Sequence, residues 1–116
     1  MIGENICKLN AIDIAAAVRS KQLSPAEVVS AALTRMERLE PKVHAFCTPM
    51  AESARVAAAR MEKLIADGAE PGPLAGVPVA IKDTILVGGE RCAQGSVAYA
   101  EFVPEEDDIV VERLKA

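Results

Sequence analysis

Along the first two thirds of the chain apolar residues recur at helical spacing, and beyond that they do not. Asn10, followed three residues later by Asp13, resembles an N-cap arrangement, and Ile14, Ala17 and Val18 then predict a short helix fading at Ser20-Lys21-Gln22. Ser24-Pro25-Ala26-Glu27 is a stronger start signal, with Ser at the cap, Pro at the first helical position and Glu placed to close a capping box. Val28, Val29, Ala32, Leu33, Met36 and Leu39 follow on one face, Ser30, Thr34, Glu37 and Arg38 lie elsewhere, and Pro41 is expected to end the helix. After a short extended link at Lys42-Val-His-Ala-Phe46, Thr48-Pro49 opens a third predicted helix, with Ala54, Ala57, Ala58, Met61, Leu64 and Ile65 on its buried side and Gly68 as its C-cap.

From Gly68 to Gly76 the chain turns to Gly, Pro and small residues, which marks a loop. Val77 to Ile81 is a short apolar run bounded by turn signals and predicts a β-strand, with Pro78 implying an edge position or a bulge. Gly88-Gly89 turns the chain, and Asp107-Asp108 opens a last helix with helical spacing at Val110 and Leu114. No Gly, Asn or Pro follows Ala116 to stop that helix, so the sequence reads as one cut inside an element, either a piece of something longer or a truncated copy.

Composition narrows the picture. At 116 residues, 51% of them hydrophobic, one domain at most is expected. Much of the apolar content is alanine, with one Tyr, two Phe and no Trp, so the predicted core is thin, helix-rich and suited to packing against something larger. A net charge of -4 without a Lys/Arg cluster argues against nucleic acid or an anionic membrane as direct partner and favours a neutral small molecule. Cys7, Cys47 and Cys92 are odd in number and far apart, and no histidine stands at metal-ligand spacing, so neither a disulfide framework nor a metal site is suggested. With no signal segment before Ile12 either, the expectation is a soluble cytoplasmic chain with reduced thiols.

The residue that resists a purely structural account is Lys82, at the end of Gly76-Val-Pro-Val-Ala-Ile-Lys82-Asp83. Lysine is rarely placed at the end of a buried strand unless it is paired or used, and a desolvated ammonium shifts toward the neutral amine that can accept a proton from a hydroxyl. The plainer alternative is a side chain that snorkels from the strand end and pairs with Asp83.

The run Pro73-Leu74-Ala75-Gly76-Val77-Pro78-Val79-Ala80-Ile81-Lys82-Asp83 closely resembles the first conserved block of the amidase signature family. Leu23-Ser24-Pro25-Ala26-Glu27-Val28-Val29 and Glu40-Pro41-Lys42-Val43-His44-Ala45-Phe46 are similar to that family's N-terminal helices and link. Gly95-Ser96, Phe102-Val103-Pro104 and Asp108 through Lys115 are similar to its next loop and helix, so the resemblance covers essentially the whole chain. It implies an α/β fold, with N-terminal helices packed on a mixed β-sheet core. Residues 1–70 would be the helical region and residues 71–116 the start of the α/β core, together the N-terminal part of a single domain. It also implies a Ser-cisSer-Lys triad, in which the lysine deprotonates a serine held by a cis peptide and that serine activates the nucleophile. Lys82 matches the lysine. The family's serines belong to a Gly/Ser-rich signature, and no Gly-Gly-Ser-Ser-Gly-Gly run occurs among these residues. A base without nucleophile or oxyanion donors cannot perform acyl transfer, so the chain alone is expected to be inactive.

Ser96 is the only serine after Lys82, and the resemblance assigns its Gly-Ser pair a structural or substrate-lining place rather than that of nucleophile. Thr84 stands where the family often has Asn, and Cys92-Ala93 where it often has a Thr pair, which removes two hydroxyls near the pocket. Cys92 has no evident activating base and reads as a small buried thiol. His44 has no triad-like companions and reads as a surface or packing residue, and Glu105-Glu106-Asp107-Asp108 reads as helix capping rather than a cation site.

The function expected is hydrolysis of a linear carboxamide through an acyl-enzyme, with no metal and no organic cofactor. The expected partners are the amide substrate and the remainder of the domain, a homodimer being a further candidate. The alternatives are the glutaminase-like A subunit of a tRNA-dependent amidotransferase and an inactive truncated paralogue acting as an interaction module. Exposed apolar strand and helix faces would favour association of the isolated chain.

Overall fold

The computed structural model describes residues 2–116, with side chains from Gly3 onward. In order its elements are α1 (Ile2–Ile6), α2 (Ala11–Arg19), α3 (Pro25–Val43), α4 (Ala51–Ala66), a 3₁₀ turn at Val97–Tyr99 and α5 (Ile109–Lys115). Contacts group these residues into two units, one running up to Ala45 and resuming over Ala51–Pro78, the other made of Phe46–Met50 and Val79–Ala116.

The first unit is built by the capping signals and the apolar stripes. Asn10 Oδ1 accepts the Asp13 N–H at 2.9 Å and starts α2. Ser24 Oγ accepts the Glu27 N–H at 3.1 Å while Glu27 Oε2 accepts the Ser24 N–H at 2.8 Å, the complete capping box of α3. The central helix α3 then packs on both α1 and α4. Its Val28 and Ala31 join Ile6, Ile14 and Val18 in one buried cluster, with Leu23, Ile65 and Val77 against it. One position further round, Val29 and Leu33 meet Ala58, with Met36, Ala51 and Ala54 alongside. Val18 and Val28 are each only 1% exposed, and burying a valine completely is worth about 1.5–3 kcal/mol. At Gly76, φ is 75° and an added Cβ would lie 2.7 Å from Val18 Cγ2, so both the backbone sign and the close approach require glycine.

Several expectations change here. Pro41 does not end α3, which runs on to Val43. The proline falls in the last turn, where its missing N–H leaves Glu37 O without a ladder donor yet does not stop the two residues that follow, and the stop comes from His44 in the left-handed conformation (φ 47°, ψ 49°), its N–H donating to Glu40 O at 2.9 Å. The helix expected from Thr48-Pro49 begins at Ala51 and closes with a Schellman arrangement, Gly68 N–H to Ile65 O and Ala69 N–H to Leu64 O. Of its predicted buried side only Ala58 is fully covered, and Leu64 remains 43% exposed. The five-residue α1 was not anticipated. It has no cap signature and, being too short to be stable alone, depends on Ile6 packing into the first cluster.

The larger correction concerns residues 77–81. No strand occurs among the described residues, and Val79, at 46% exposed, lies in an irregular segment. A strand is stabilised by a ladder with a neighbour, and no neighbouring strand is present to supply one. The chain as described is therefore helical, and the mixed sheet expected beneath the helices is not part of it. In the second unit, which carries only the 3₁₀ turn and α5, the buried side chains are Cys92, Pro104 and Val111. Helix α5 forms where expected, but Val111 faces inward while Val110 and Leu114 are 46% and 38% exposed.

Candidate active site

Lys82 opens a turn in the second unit, its carbonyl accepting the Ile85 N–H at 2.9 Å. Its side chain is exposed, which corrects the buried setting expected of it: no sheet forms around residues 77–81 to cover it. The pairing with Asp83 is absent too. Asp83 instead turns its carboxylate to the loop that follows, Oδ1 accepting the Ala93 N–H at 3.1 Å. The Asp83 carbonyl accepts the Gln94 N–H at 3.2 Å and the Cys92 thiol at 3.3 Å. Three consecutive residues, 92 to 94, thus donate to the residue that follows Lys82.

This brings the Lys82 segment beside the loop that carries Ser96. Gln94 takes a left-handed conformation (φ 54°), and the Ser96 N–H returns to Ala93 O at 2.9 Å. The Ser96 hydroxyl is engaged as the N-cap of the 3₁₀ turn, accepting the Ala98 N–H at 3.3 Å. Tyr99 and Phe102 meet edge to face at a centroid distance of 5.8 Å. Arg91 spans it, one guanidinium nitrogen donating to Ala100 O at 2.9 Å and the other to Cys47 O at 3.1 Å.

Cys92 is 2% exposed. Burial pushes its thiol above the usual range, with the Asp83 and Asp108 carboxylates adding to the shift, so it stays protonated and serves as a weak donor rather than a nucleophile. The exposed Cys47 and half-buried Cys7 are also free thiols.

The acidic run does different work from the capping expected. Asp108 stands at the N-cap position of α5 but makes no side-chain bond to that helix. Its Oδ2 accepts the Leu86 N–H at 2.7 Å while its own N–H donates to Leu86 O at 2.9 Å. Asp107 Oδ1 accepts the Gly88 N–H at 2.7 Å, and Lys115 Nζ donates to both Asp107 oxygens at 2.7 and 3.0 Å. The Lys115 contact and then the Gly88 N–H hold the Asp107 carboxyl below its usual range. Gly88 fits because its Cα approaches the backbone of Glu105 and Glu106 so closely that a Cβ would sit 3.0 Å from Glu105 O. Sequence spacing finds the acidic run, but it cannot show that these carboxylates reach back some twenty residues to a loop.

Chemically, the surroundings of Lys82 present its exposed amine on a backbone braced from two sides, the engaged Ser96 hydroxyl and the inert Cys92 thiol. An open apolar depression lined by Ile109, Val110, Arg113 and Leu114 does not include Lys82 or Ser96. Among the described residues no cluster of three His, Cys, Asp or Glu side chains could hold a metal ion, and no helix is long and apolar enough to cross a membrane.

Comparison with known proteins is consistent in direction. The A subunit of glutamyl-tRNA(Gln) amidotransferase from Carboxydothermus hydrogenoformans is 40% identical over 107 residues, covering 92% of this chain and 22% of that protein. A Mycobacterium tuberculosis protein, AmiD, whose name assigns it provisionally to the amidases, is 37% identical over 111 residues, covering 96% of this chain and 23% of its own length. Among solved structures, a chain from a vestigial protein complex described as revealing the evolutionary origins of an s-triazine catabolic enzyme superposes with a TM-score of 0.87. It is 28% identical, with 92% of this chain and 24% of that chain covered. This chain spans about a fifth of the length of the curated relatives it matches. A family model described as Amidase matches residues 27–116, a stretch that includes Lys82, Asp83 and Ser96, and the chain belongs to the amidase family.

Proposed function

We propose that this chain supplies Lys82 as the proton acceptor of a site that hydrolyses carboxamide C–N bonds, and that residues 1–116 act as the N-terminal part of a single amidase signature domain. The observation that carries the reading is the place of Lys82. It lies inside the stretch matching the amidase family, in a segment whose backbone is tied to the loop carrying Ser96. In the mechanism the resemblance implies, the neutral Lys82 amine takes a proton from the serine of a cis peptide. That serine takes one in turn from the nucleophilic serine, whose oxygen attacks the amide carbonyl. The proton then passes to the leaving nitrogen, the C–N bond breaks, and water releases the acyl group by the same relay.

Neither serine of that relay is identified among the 116 residues, so on this reading further polypeptide supplies them. It also covers the exposed Lys82 amine and adds the mixed sheet against which residues 77–81 would pair. Desolvation of the ammonium is then a property of the assembled site, and Ser96 lines that site. The reading places the protein in the cytoplasm, without metal or organic cofactor, as a monomer or a homodimer.

A second reading is favoured by the amidotransferase relatives, which run from 38% to 43% identical against 37% for AmiD: a glutaminase-like subunit that releases ammonia within an amidotransferase complex. Ammonia release from glutamine that depends on co-purifying partner chains supports this reading, whereas turnover of simple carboxamides by the protein alone supports the first. For either, Lys82→Ala in the active protein should abolish amide hydrolysis while circular dichroism stays unchanged. Retained turnover in that variant would falsify the assignment. The rate should also fall on the acid side, because a protonated amine accepts no proton.

A further inference from the structure

Lysine has four rotatable side-chain bonds, and a base has to be held close to its productive position to work. With that many free torsions the side chain does little of it by itself, so much of the placing falls to the backbone. At Lys82 the backbone is braced twice. Its own carbonyl closes a turn onto Ile85, and the next residue receives three donors from residues 92 to 94. Two of these land on the Asp83 carbonyl and would survive any side-chain change. The third, the Ala93 N–H, reaches only the carboxylate. The donor loop is itself anchored, since the Cys92 N–H donates to Phe102 O at 2.9 Å. Asp83 forms no ion pair, so its carboxylate serves as an acceptor for backbone rather than as the counter-ion of Lys82.

We propose that Asp83 is a positioning residue for Lys82: its carboxylate locks the Lys82 backbone to the loop of residues 92–94, with the buried Cys92 thiol as an auxiliary donor on the Asp83 carbonyl. The inference rests on Lys82 being the base of the amide-hydrolysing site. It assigns Asp83 a hydrogen-bond acceptor role, not a charge role, and that distinction is measurable.

The test compares Lys82→Ala, Asp83→Ala, Asp83→Asn and Cys92→Ala in the active protein, reading kcat and KM separately and following amide exchange of Ala93. Asp83→Ala should lower kcat about 10- to 100-fold with KM nearly unchanged, the loss typical of a misplaced catalytic group, and should speed exchange at Ala93 while α2 stays protected. Asp83→Asn keeps an oxygen for the Ala93 N–H and should restore most of the lost kcat. Cys92→Ala should lower kcat less, because a thiol is a weak donor. If Lys82→Ala is inactive while Asp83→Ala keeps the parent kcat, the positioning role is overturned and the amidase reading stands. If Lys82→Ala stays active, both fall. Should Asp83→Ala fail to fold, Asp83→Asn decides: near-parent activity supports the acceptor role, and a loss as deep as that of Lys82→Ala overturns it.

Discussion

The two units of this chain are held together by different forces. In the first, side chains on helical stripes bury one another, and the named hydrogen bonds outside the helical ladders are mostly caps. In the second, three side chains are fully buried, and the loops are held by side chains that reach backbone groups: Asp83 to Ala93, Arg91 to Ala100 and Cys47, Asp107 to Gly88 and Asp108 to Leu86. Apolar packing tolerates many sequences that keep a pattern, whereas a carboxylate aimed at one N–H tolerates very few. The candidate chemistry lies in the second kind of region, on a short loop framework rather than on a helix.

That contrast can be broken at several points. The largest effect is expected from Leu33→Ala, which opens a space between α3 and α4 and should cost about 2–4 kcal/mol, read as a lowered urea midpoint. Asp108→Ala leaves the half-buried Leu86 N–H without its side-chain acceptor and should cost about 1–2 kcal/mol. There, faster amide exchange confined to residues 86–89 is the signature, and exchange spread through α3 would count against separate means of support.

A pH series should separate the units further. Because the Asp107 carboxyl is held below its usual range in the folded chain, its contribution is complete above the ordinary carboxylate pKa of about 4 and is lost as pH falls through the lowered value. Asp107→Asn should lower stability at neutral pH and, because the group that loses its charge is gone, flatten that acid limb. The smallest effect belongs to the exposed Lys63–Asp67 pair at the end of α4, where Lys63→Ala should change stability by only about 0.3–0.5 kcal/mol and by less in high salt.

The same contrast decides how much could be read from sequence. Asn10 and Ser24 announced α2 and α3 because capping acts within three residues, and the stripe from Val28 to Met36 was legible because helical periodicity is local. Pro41 misled because a proline near the end of a helix costs less than one in its middle, and His44, not a glycine, supplied the left-handed stop. The run Val77–Ile81 had the composition of a strand, but strand pairing is non-local and its partner is not among these residues. For the site, the resemblance picked out Lys82 and Ser96 by motif. Asp83 as an acceptor, and Asp107 and Asp108 as loop clamps, depend on contacts 10 to 22 residues away that no spacing rule encodes.

The Arg91 guanidinium has a consequence for modularity. By holding Cys47 O it fastens the connector between α3 and α4 to a loop more than forty residues further on, and Phe46–Met50 groups with Val79–Ala116 rather than with the helices on either side of it. The chain therefore passes between its two units three times, and no single cut divides it into intact parts. A helical piece expressed without Arg91 would carry an unanchored connector between α3 and α4, and a swap of the loop region between relatives would have to bring residues 46–50 with it.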